Sequence, residues 1–233
     1  MTPIEERLQA VEDRIAAACR RAGRARADVL LVAVTKTVGV ELARQLVDAG
    51  VRDLGENRPQ QLWQKAGTLS AGVRWHLIGH LQRNKVEQTL PLVTMIHSVD
   101  SLRLLEALEL GAARRAQPIK VLLECNASGE PAKHGFLPAA LPALLPELAK
   151  LQDVHVCGLM TMAAYEPNPE QCRPTFATLR ALRDRLQKEL APPHRLTHLS
   201  MGMSNDFEVA IEEGATMVRL GTVLFEGLQE TKA

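Results

Sequence analysis

Residues 29–36 read Val-Leu-Leu-Val-Ala-Val-Thr-Lys, an apolar run that ends in a polar pair. The run is rich in β-branched side chains and shows no polar alternation. A strand that is buried on one face alternates apolar and polar residues, whereas a parallel strand covered on both faces is apolar throughout. The stretch therefore predicts a buried parallel strand, Val29–Thr35, with Lys36 at its carboxyl end.

Seven more short apolar runs follow, and helical patterns separate them. The predicted strands are Asp53–Gly55, Arg74–Ile78, Thr94–His97, Ile119–Glu124, Val154–Met160, Leu196–Leu199 and Thr216–Arg219. The predicted helices between them are Val40–Ala49, Pro59–Lys65, Arg83–Leu90, Ser101–Arg115, Pro138–Lys150, Asn168–Leu190 and Asn205–Glu213. This alternation indicates a parallel sheet, because neighbouring parallel strands need a long crossover connection.

Two α/β architectures are compatible with this order, a closed (β/α)8 TIM barrel and a doubly wound open sheet. Eight strands in 233 residues leave about 29 residues per strand–helix unit, which suits a barrel. A doubly wound dinucleotide-binding sheet would carry Gly-x-Gly-x-x-Gly after its first strand, and this chain has no such motif there. We therefore expect the TIM barrel.

An additional amphipathic helix precedes the first strand, because apolar residues recur every three or four positions from Ile4 to about Arg21. No break in composition and no Ser/Gly-rich linker divides the chain. We expect residues 1–233 to form a single domain in which residues 1–28 are the N-terminal helix and lead-in. A barrel with a full outer layer of helices can be monomeric, and a monomer is the expected state.

The composition excludes several functional classes. The chain has 28 Lys+Arg against 27 Asp+Glu, and only 4 Phe, 2 Trp and 1 Tyr. A near-zero net charge and few stacking side chains argue against nucleic acid, and no apolar run reaches the ~20 residues of a membrane span. The N-terminus lacks the basic region of a signal peptide, so a cytoplasmic location is expected. The dispersed cysteines are Cys19, Cys125, Cys157 and Cys172, which we expect to be reduced.

Functional residues of TIM barrels lie at the carboxyl ends of the strands. Lys36 ends the first predicted strand, Asn57 follows the second and His80 the third. Partial desolvation of such a lysine favours the free amine that condenses with aldehydes, although a side chain extending to solvent is the alternative. His76 and His80 have a metal-like spacing, but Gly79 would break a helix that carried both, and we expect no metal.

The segments after the seventh strand and at the end of the eighth are typical of a phosphate site. Residues 200–206 read Ser-Met-Gly-Met-Ser-Asn-Asp, where Gly202 permits close backbone approach and Ser204 or Asn205 can cap the next helix. Gly221 and Thr222 would reach the same corner of the barrel. Ordinary capping and turn formation explains either segment alone, but their joint placement favours phosphate.

Arg219 lies inside the eighth predicted strand. A buried arginine is costly unless it is paired with acceptors. A structural salt bridge is one explanation for this arginine, and contact with a heteroatom of a ligand is the other.

Six motifs in this order resemble a known family. They are Val32-Ala-Val-Thr-Lys36-Thr, Gly55-Glu-Asn57, Trp75-His-Leu-Ile-Gly79-His-Leu-Gln82, Gly158-Leu-Met-Thr161-Met, Ser200-Met-Gly-Met-Ser-Asn-Asp206 and Arg219-Leu-Gly-Thr-Val-Leu-Phe225. Together they resemble the pyridoxal phosphate homeostasis proteins, which share the fold of the alanine racemase N-terminal domain. The sequence departs from the family pattern at Asn205, where an acid is expected, and at Glu226, which interrupts the usual Phe-Gly.

The resemblance implies pyridoxal 5′-phosphate (PLP) as the cofactor, held as a Schiff base on Lys36. It implies that Arg219 faces the pyridine nitrogen and that Asn57 and His80 lie near the cofactor. The residues implied for the phosphate cup are Ser200, Gly202, Ser204, Gly221 and Thr222.

The same resemblance favours a carrier over an enzyme. Racemisation needs an acid–base group on each face of the substrate. The related racemases take one of these groups, a tyrosine, from a second domain. We expect no such domain in a chain that ends at Ala233. Tyr165 is the one tyrosine of the sequence. We expect it to be a loop residue, and a position that lines the barrel mouth is the alternative. An arginine at the pyridine nitrogen donates only a hydrogen bond and leaves the ring a poor electron sink.

We therefore expect a protein that holds PLP, maintains vitamin B6 and amino-acid homeostasis and has PLP-dependent apoenzymes as partners. The alternatives are a low-activity single-domain racemase and a scaffold with a vestigial pocket. Lys133 is a candidate transient acceptor of the cofactor, with a solvated loop lysine as its alternative.

Overall fold

A closed barrel of eight parallel strands forms the centre of the molecule, in a computed structural model that describes residues 1–69, 72–130 and 134–228. Each strand pairs with the next in chain order, and the last closes on the first. The strands are β1 Leu30–Val34, β2 Asp53–Glu56, β3 Arg74–Leu77, β4 Val93–Val99, β5 Ile119–Glu124, β6 Val154–Met160, β7 His198–Ser200 and β8 Met217–Leu220. The expected (β/α)8 TIM barrel is confirmed.

Helices surround the barrel and follow the strands in alternation. The α-helices of the described chain are α1 Pro3–Arg21, α2 Val40–Asp48, α3 Pro59–Ala66, α4 Val86–Thr89, α5 Leu102–Ala112, α6 Leu145–Leu148, α7 Arg173–Gln187, α8 Phe207–Glu212 and α9 Thr222–Phe225. Short 3-10 turns occur at Arg26–Asp28, Arg83–Lys85, Leu141–Leu144 and Pro169–Cys172. Among the described residues, none of these helices combines the length and the hydrophobicity needed to cross a membrane.

The additional N-terminal helix is present as α1. Thr2 and Glu5 form a reciprocal capping box at its start, which satisfies backbone N–H groups that the first turn leaves free. The buried face of α1 packs against α8 and α9. Arg14 pairs with Glu208 at 3.1 Å and Arg21 with Glu212 at 2.7 Å, so α1 braces the helix that follows β7.

Two apolar layers hold the fold together. The larger core lies between the strands and the helices, where side chains such as Phe176, Phe207 and Ile15 are fully buried. A smaller cluster is made by strand residues alone: Met95, Leu122, Met160 and Met217. The carboxyl ends of all strands open on one side of the barrel, because the strands are parallel. Polar side chains at those ends therefore meet.

Candidate functional site

A cavity of about 520 Å³ opens at the carboxyl ends of the strands. It brings together six of the residues that the sequence singled out: Lys36, Asn57, Ser204, Arg219, Gly221 and Thr222. These residues come from the ends of β1, β2, β7 and β8, which are separated in sequence and adjacent in the barrel.

Lys36 is exposed and lines this cavity, so its side chain reaches both the solvent and the site. Its neighbour Thr35 is fully buried, and the Thr35 backbone N–H donates to Gly55 O at 3.0 Å. Within the described residues, the Lys36 ammonium group makes no hydrogen bond or ion pair, so its nitrogen is free to meet a ligand.

A buried ion pair lies behind Lys36. Lys65 Nζ donates to Glu56 Oε1 at 2.5 Å and to the Thr35 carbonyl oxygen at 2.6 Å. The Thr35 hydroxyl donates to the same Glu56 oxygen at 2.6 Å. These three residues tie the end of β1 to the end of β2, and they hold the backbone that presents Lys36 and Asn57 to the cavity.

Gly79 allows the end of β2 to approach the segment after β3. A Cβ atom at Gly79 would lie 2.2 Å from the Asn57 carbonyl oxygen and 2.3 Å from Asn57 Oδ1. Contacts that short do not occur, so a side chain at position 79 would displace Asn57 from the cavity wall. The Gly79 carbonyl oxygen accepts a hydrogen bond of 2.6 Å from the buried Ser98 hydroxyl.

The loop after β7 is shaped by Gly202, whose φ of +95° lies in the left-handed region. A Cβ at Gly202 would also meet Ala210 Cβ at 2.7 Å. The prediction that Ser204 or Asn205 caps the next helix is wrong, because the N-cap position belongs to Asp206. Ser204 Oγ instead accepts from the Val223 backbone N–H at 3.3 Å. Ser204 thereby links the loop after β7 to the start of α9.

Ser200 does not line the cavity, in contrast to the expected phosphate cup. It is fully buried at the end of β7. Its hydroxyl oxygen lies 2.9 Å from His97 Nδ1 and accepts from Arg219 Nη1 at 2.7 Å. These partners occupy the hydroxyl group and leave it no route to a ligand in the cavity.

Arg219 reaches the cavity floor from β8 while only 4% of it is exposed. Besides Ser200, its guanidinium group donates from Nη2 to the Thr161 carbonyl oxygen at 2.9 Å. Burial lowers the pKa of Arg219 to about 10, and the carboxylates of Asp206 and Glu124 act against that shift. The group therefore stays charged at neutral pH. Burial raises the pKa values of Asp206 and Glu124 in turn.

His80 lies outside the main cavity, in a neighbouring depression of about 430 Å³. Its Nδ1 atom is 2.8 Å from Asp100 Oδ2, and its ring stacks on that of His134 with centroids 5.4 Å apart. His76 is buried inside β3 and does not pair with His80. The structure thus separates His80 from Lys36 and its neighbours.

The cavity also contains residues for which the sequence predicted no contact with a ligand. Met162, Met203, Asp206 and Glu226 line it, and the sequence placed them only in or beside the family motifs that follow strands β6, β7 and β8. Tyr165 lines the mouth and is 82% exposed, so the mouth-lining alternative describes its position. Lys133 lies outside the described residues.

Comparisons with known proteins identify the class of this barrel. Residues 7–229 match the family described as alanine racemase, N-terminal domain. A solved structure described as an unknown protein from Bifidobacterium adolescentis superimposes with a TM-score of 0.89 at 40% identity, covering 96% of this chain and 94% of that one. The chain is thus a barrel of the alanine racemase N-terminal class.

Two further relatives narrow this class. The pyridoxal phosphate homeostasis protein of Aquifex aeolicus is 45% identical over 94% of this chain and 96% of its own length. PipY of Synechococcus elongatus, solved with PLP bound, has a TM-score of 0.82 at 37% identity over 95% of this chain and 99% of that chain. The chain belongs to the pyridoxal phosphate homeostasis protein family.

Proposed function

We propose that this protein binds PLP in the 520 Å³ cavity and serves as a carrier of the cofactor. The observation that carries the proposal is the presence of an unpaired lysine and a buried arginine in the same cavity. Lys36 supplies an amine with no partner in the described chain, and Arg219 supplies a fixed cation on the floor. Relatives named for PLP homeostasis and one solved with PLP support it.

The chemistry of the cavity fits the parts of PLP one by one. A reactive aldehyde needs a nearby primary amine, which Lys36 offers. A phosphate group needs hydroxyl and backbone N–H donors, and Ser204 and Thr222 line one side of the cavity. Gly221 lets the start of α9 lie close to the end of β1, since a Cβ on it would be 3.0 Å from the Val34 carbonyl oxygen. The volume lies within the range of small-molecule sites.

The residues of this chain have separate roles in the proposed carrier. Lys36 would hold PLP at its aldehyde, through a covalent bond to Nζ that water can reverse. Arg219 would offer N–H donors to the ring nitrogen, and Asn57 would contact the ring. Ser204, Gly221 and Thr222, with the Gly202 turn behind them, would hold the phosphate. The chemistry that PLP supplies when bound is an electrophilic aldehyde joined to an aromatic ring.

Arg219 also supports a carrier rather than an enzyme. A charged guanidinium group can donate a hydrogen bond to the ring nitrogen but does not give up its proton near neutral pH, because its pKa is about 10. An unprotonated ring withdraws electrons weakly, so substrate carbanions are poorly stabilised. We propose that the protein hands the cofactor to PLP-dependent apoenzymes, as a monomer in the cytoplasm.

A second candidate function is a weak amino-acid racemase, and one observation favours it. Tyr165 lines the mouth of the cavity that contains Lys36, so two acid–base groups share one site. Racemase assays with added PLP and common amino acids separate the candidates. The carrier predicts negligible turnover, whereas turnover that falls on the Tyr165→Phe substitution would establish the racemase and overturn the carrier.

Reduction with borohydride tests the binding proposal. After incubation with PLP, we expect a near-visible absorbance band that borohydride abolishes, and mass spectrometry should then locate the added mass on Lys36. Lys36→Ala should lose both signals. Lys150→Ala is the matched control, because Lys150 is a surface lysine, 67% exposed and paired with Glu147. A band that survives in Lys36→Ala would overturn the assignment of Lys36.

Transfer to a recipient completes the test of the carrier. The reconstitution rate of a PLP-dependent apoenzyme should be higher with the loaded protein than with loaded Lys36→Ala protein. Lys133→Ala tests the transient-acceptor hypothesis in the same assay, where unchanged transfer would discard it. His80→Ala should affect PLP binding less than Arg219→Ala, since His80 lies in the neighbouring depression.

A further inference from the structure

Five buried side chains form a hydrogen-bonded series across the barrel. They are Asp53 on β2, His76 on β3, His97 on β4, Ser200 on β7 and Arg219 on β8, each no more than 5% exposed. The donor–acceptor distances along the series are 3.0, 2.9, 2.9 and 2.7 Å. Two strands lie between β4 and β7 in the closed barrel, so the contact between His97 and Ser200 crosses the interior.

The two ends of the series carry opposite charges. Burial tends to raise the pKa of Asp53, but hydrogen bonds from His76 and Arg74 outweigh it and lower that pKa below its usual value. Asp53 is therefore an anion that only accepts hydrogen bonds. Arg219 at the other end is a cation that only donates.

With a single proton on the His76 ring, these ends determine the direction of every hydrogen bond between them. Asp53 must accept from His76 Nε2–H, which leaves Nδ1 of a neutral His76 as an acceptor. His97 must then donate from Nε2–H, and its Nδ1 accepts the Ser200 hydroxyl proton. The Ser200 oxygen in turn accepts from Arg219. Every polar group of the series is satisfied in this one arrangement.

A neutral His97 is consistent with its surroundings. Burial lowers the pKa of His97 well below its usual value, and the positive charge of Arg219 acts in the same direction. Adding a proton at His76 would force His97 to donate to Ser200 instead. The Ser200 hydroxyl proton would then lose its acceptor within the series, which is costly in a fully buried position.

We propose that Asp53, His76, His97 and Ser200 are positioning residues that fix the Arg219 guanidinium group toward the ring of the bound cofactor. The proposal rests on the proposed function, because the ring is that of PLP. Ser200 accepts from Nη1 of the guanidinium group, and the Thr161 carbonyl oxygen accepts from Nη2 at 2.9 Å. These two hydrogen bonds fix the orientation of the group. The series thus connects the cofactor cavity to Asp53 and Arg74 at the amino ends of β2 and β3.

Nuclear magnetic resonance of the protein without cofactor tests the direction of the series. Long-range ¹H–¹⁵N correlation spectra distinguish the two tautomers of a neutral histidine. We expect both His76 and His97 to carry the proton on Nε2 at neutral pH. A proton on His97 Nδ1, or a charged His97, would overturn the proposed arrangement whether or not PLP binds.

Substitutions test the effect on the cofactor. Ser200→Ala should weaken PLP binding about tenfold, as expected for one lost hydrogen bond to a charged group, and should shift the absorbance maximum of the bound cofactor. Asp53→Ala should shift that maximum in the same direction, although Asp53 lies at the far end. Arg74→Ala is its matched control, because both substitutions break the Asp53–Arg74 ion pair but only Asp53→Ala removes the acceptor of His76.

The outcomes separate this proposal from the proposed function. Ser200→Ala and Asp53→Ala proteins that melt cooperatively and bind PLP with wild-type affinity and absorbance would overturn the positioning role alone. An equal shift in Arg74→Ala and Asp53→Ala would assign the effect to the Asp53–Arg74 ion pair and would also overturn the positioning role. Failure of the wild-type protein to bind PLP would overturn the proposed function, and the positioning role toward the ring with it.

Discussion

Glu56 is a fully buried carboxylate that forms an ion pair with Lys65. This ion pair supports the strand ends that line the cavity. Lys65 and Thr35 both donate to Oε1, while Oε2 has no hydrogen-bond partner in the described part of the chain. Removing one member of a buried pair leaves the other charge uncompensated, which costs more than the pair itself contributes. Lys65 is therefore more important for stability than its place at the end of a helix suggests.

Lys65→Met should lower the free energy of unfolding by about 3–5 kcal/mol, as measured by urea denaturation. It should also weaken PLP binding, because the strand ends that carry Lys36 and Asn57 lose the hydrogen bonds that Lys65 donates to Thr35 and Glu56. Lys150→Met is the control, since the exposed Lys150–Glu147 pair should contribute no more than about 1 kcal/mol.

Adding Glu56→Gln to Lys65→Met removes the uncompensated charge and should restore part of the lost stability. A double variant as unstable as Lys65→Met alone, or a Lys65→Met protein as stable as the wild type, would show that the buried charge does not govern this corner of the barrel.

For single residues, the sequence identified the residues that line the cavity more accurately than it identified their contacts. Lys36 and Arg219 were singled out because each ends or interrupts an apolar strand, and both line the cavity. Ser200 was assigned to the phosphate because the family resemblance of residues 200–206 implied it. Its actual partner, His97, lies 103 positions away in sequence, and no local pattern reveals a pairing between β4 and β7.

Among the elements, the strands with the cleanest hydrophobic boundaries were predicted best. The predicted bounds of β5 and β6 match the structure, since a polar or turn segment flanks each apolar run. The predicted strand Leu196–Leu199 begins two residues before β7 and ends one residue before it, since β7 is His198–Ser200. The predicted helix Pro138–Lys150 is only a 3-10 turn and a single α-helical turn, because Pro142 and Pro146 lack the N–H groups that a continuous helix needs.

The helix α1 illustrates how an element outside the barrel supports the site. Ile15 on α1 is fully buried, and Arg14 lies over the Phe207 ring at 4.6 Å. Phe207 opens α8, directly after the loop that brings Ser204 to the cavity. We therefore infer that packing of α1 against α8 stabilises that loop.

Ile15→Ala should lower the free energy of unfolding by about 2–5 kcal/mol, since it leaves a cavity in a close-packed interface. Arg20→Ala, on the exposed side of the same helix, should change it by no more than about 0.5 kcal/mol. Denaturation curves of the two variants give the comparison, and equal stability would mean that α1 is not packed on the barrel as described.

At the scale of the whole molecule, buried histidines make stability depend on pH. Burial is the main cause that lowers the pKa values of His97, His194 and His198 below their usual value of 6.5. In the unfolded chain these histidines take up protons near pH 6.5, but in the folded protein they do so only at lower pH. The unfolded state thus binds more protons over that interval, and the free energy of unfolding falls as the pH falls.

Two buried carboxyl groups act in the opposite direction at lower pH. The pKa values of Glu124 and Asp206 are raised above 4.5 and 3.8, chiefly by burial. The folded state therefore binds their protons first, and this stabilises it as the pH falls toward those usual values. The destabilising effect of the histidines should consequently be clearest just below pH 6.5, before the carboxyl groups titrate.

We expect the free energy of unfolding to decrease when the pH is lowered from about 7.5 to about 5.5, by at most ~1.4 kcal/mol per pH unit for each histidine. Urea denaturation at several pH values measures the slope. His194→Gln should reduce it, because His194 is neutral in the folded state, with Nε2 2.6 Å from the Leu148 carbonyl oxygen and Nδ1 accepting from the Val156 N–H. The slope should be equally present without cofactor, since the three histidines are buried in the fold itself. A stability that rises as the pH falls through 6.5 would mean that these histidines are charged in the folded protein, which would also contradict the neutral His97 on which the orientation of Arg219 depends.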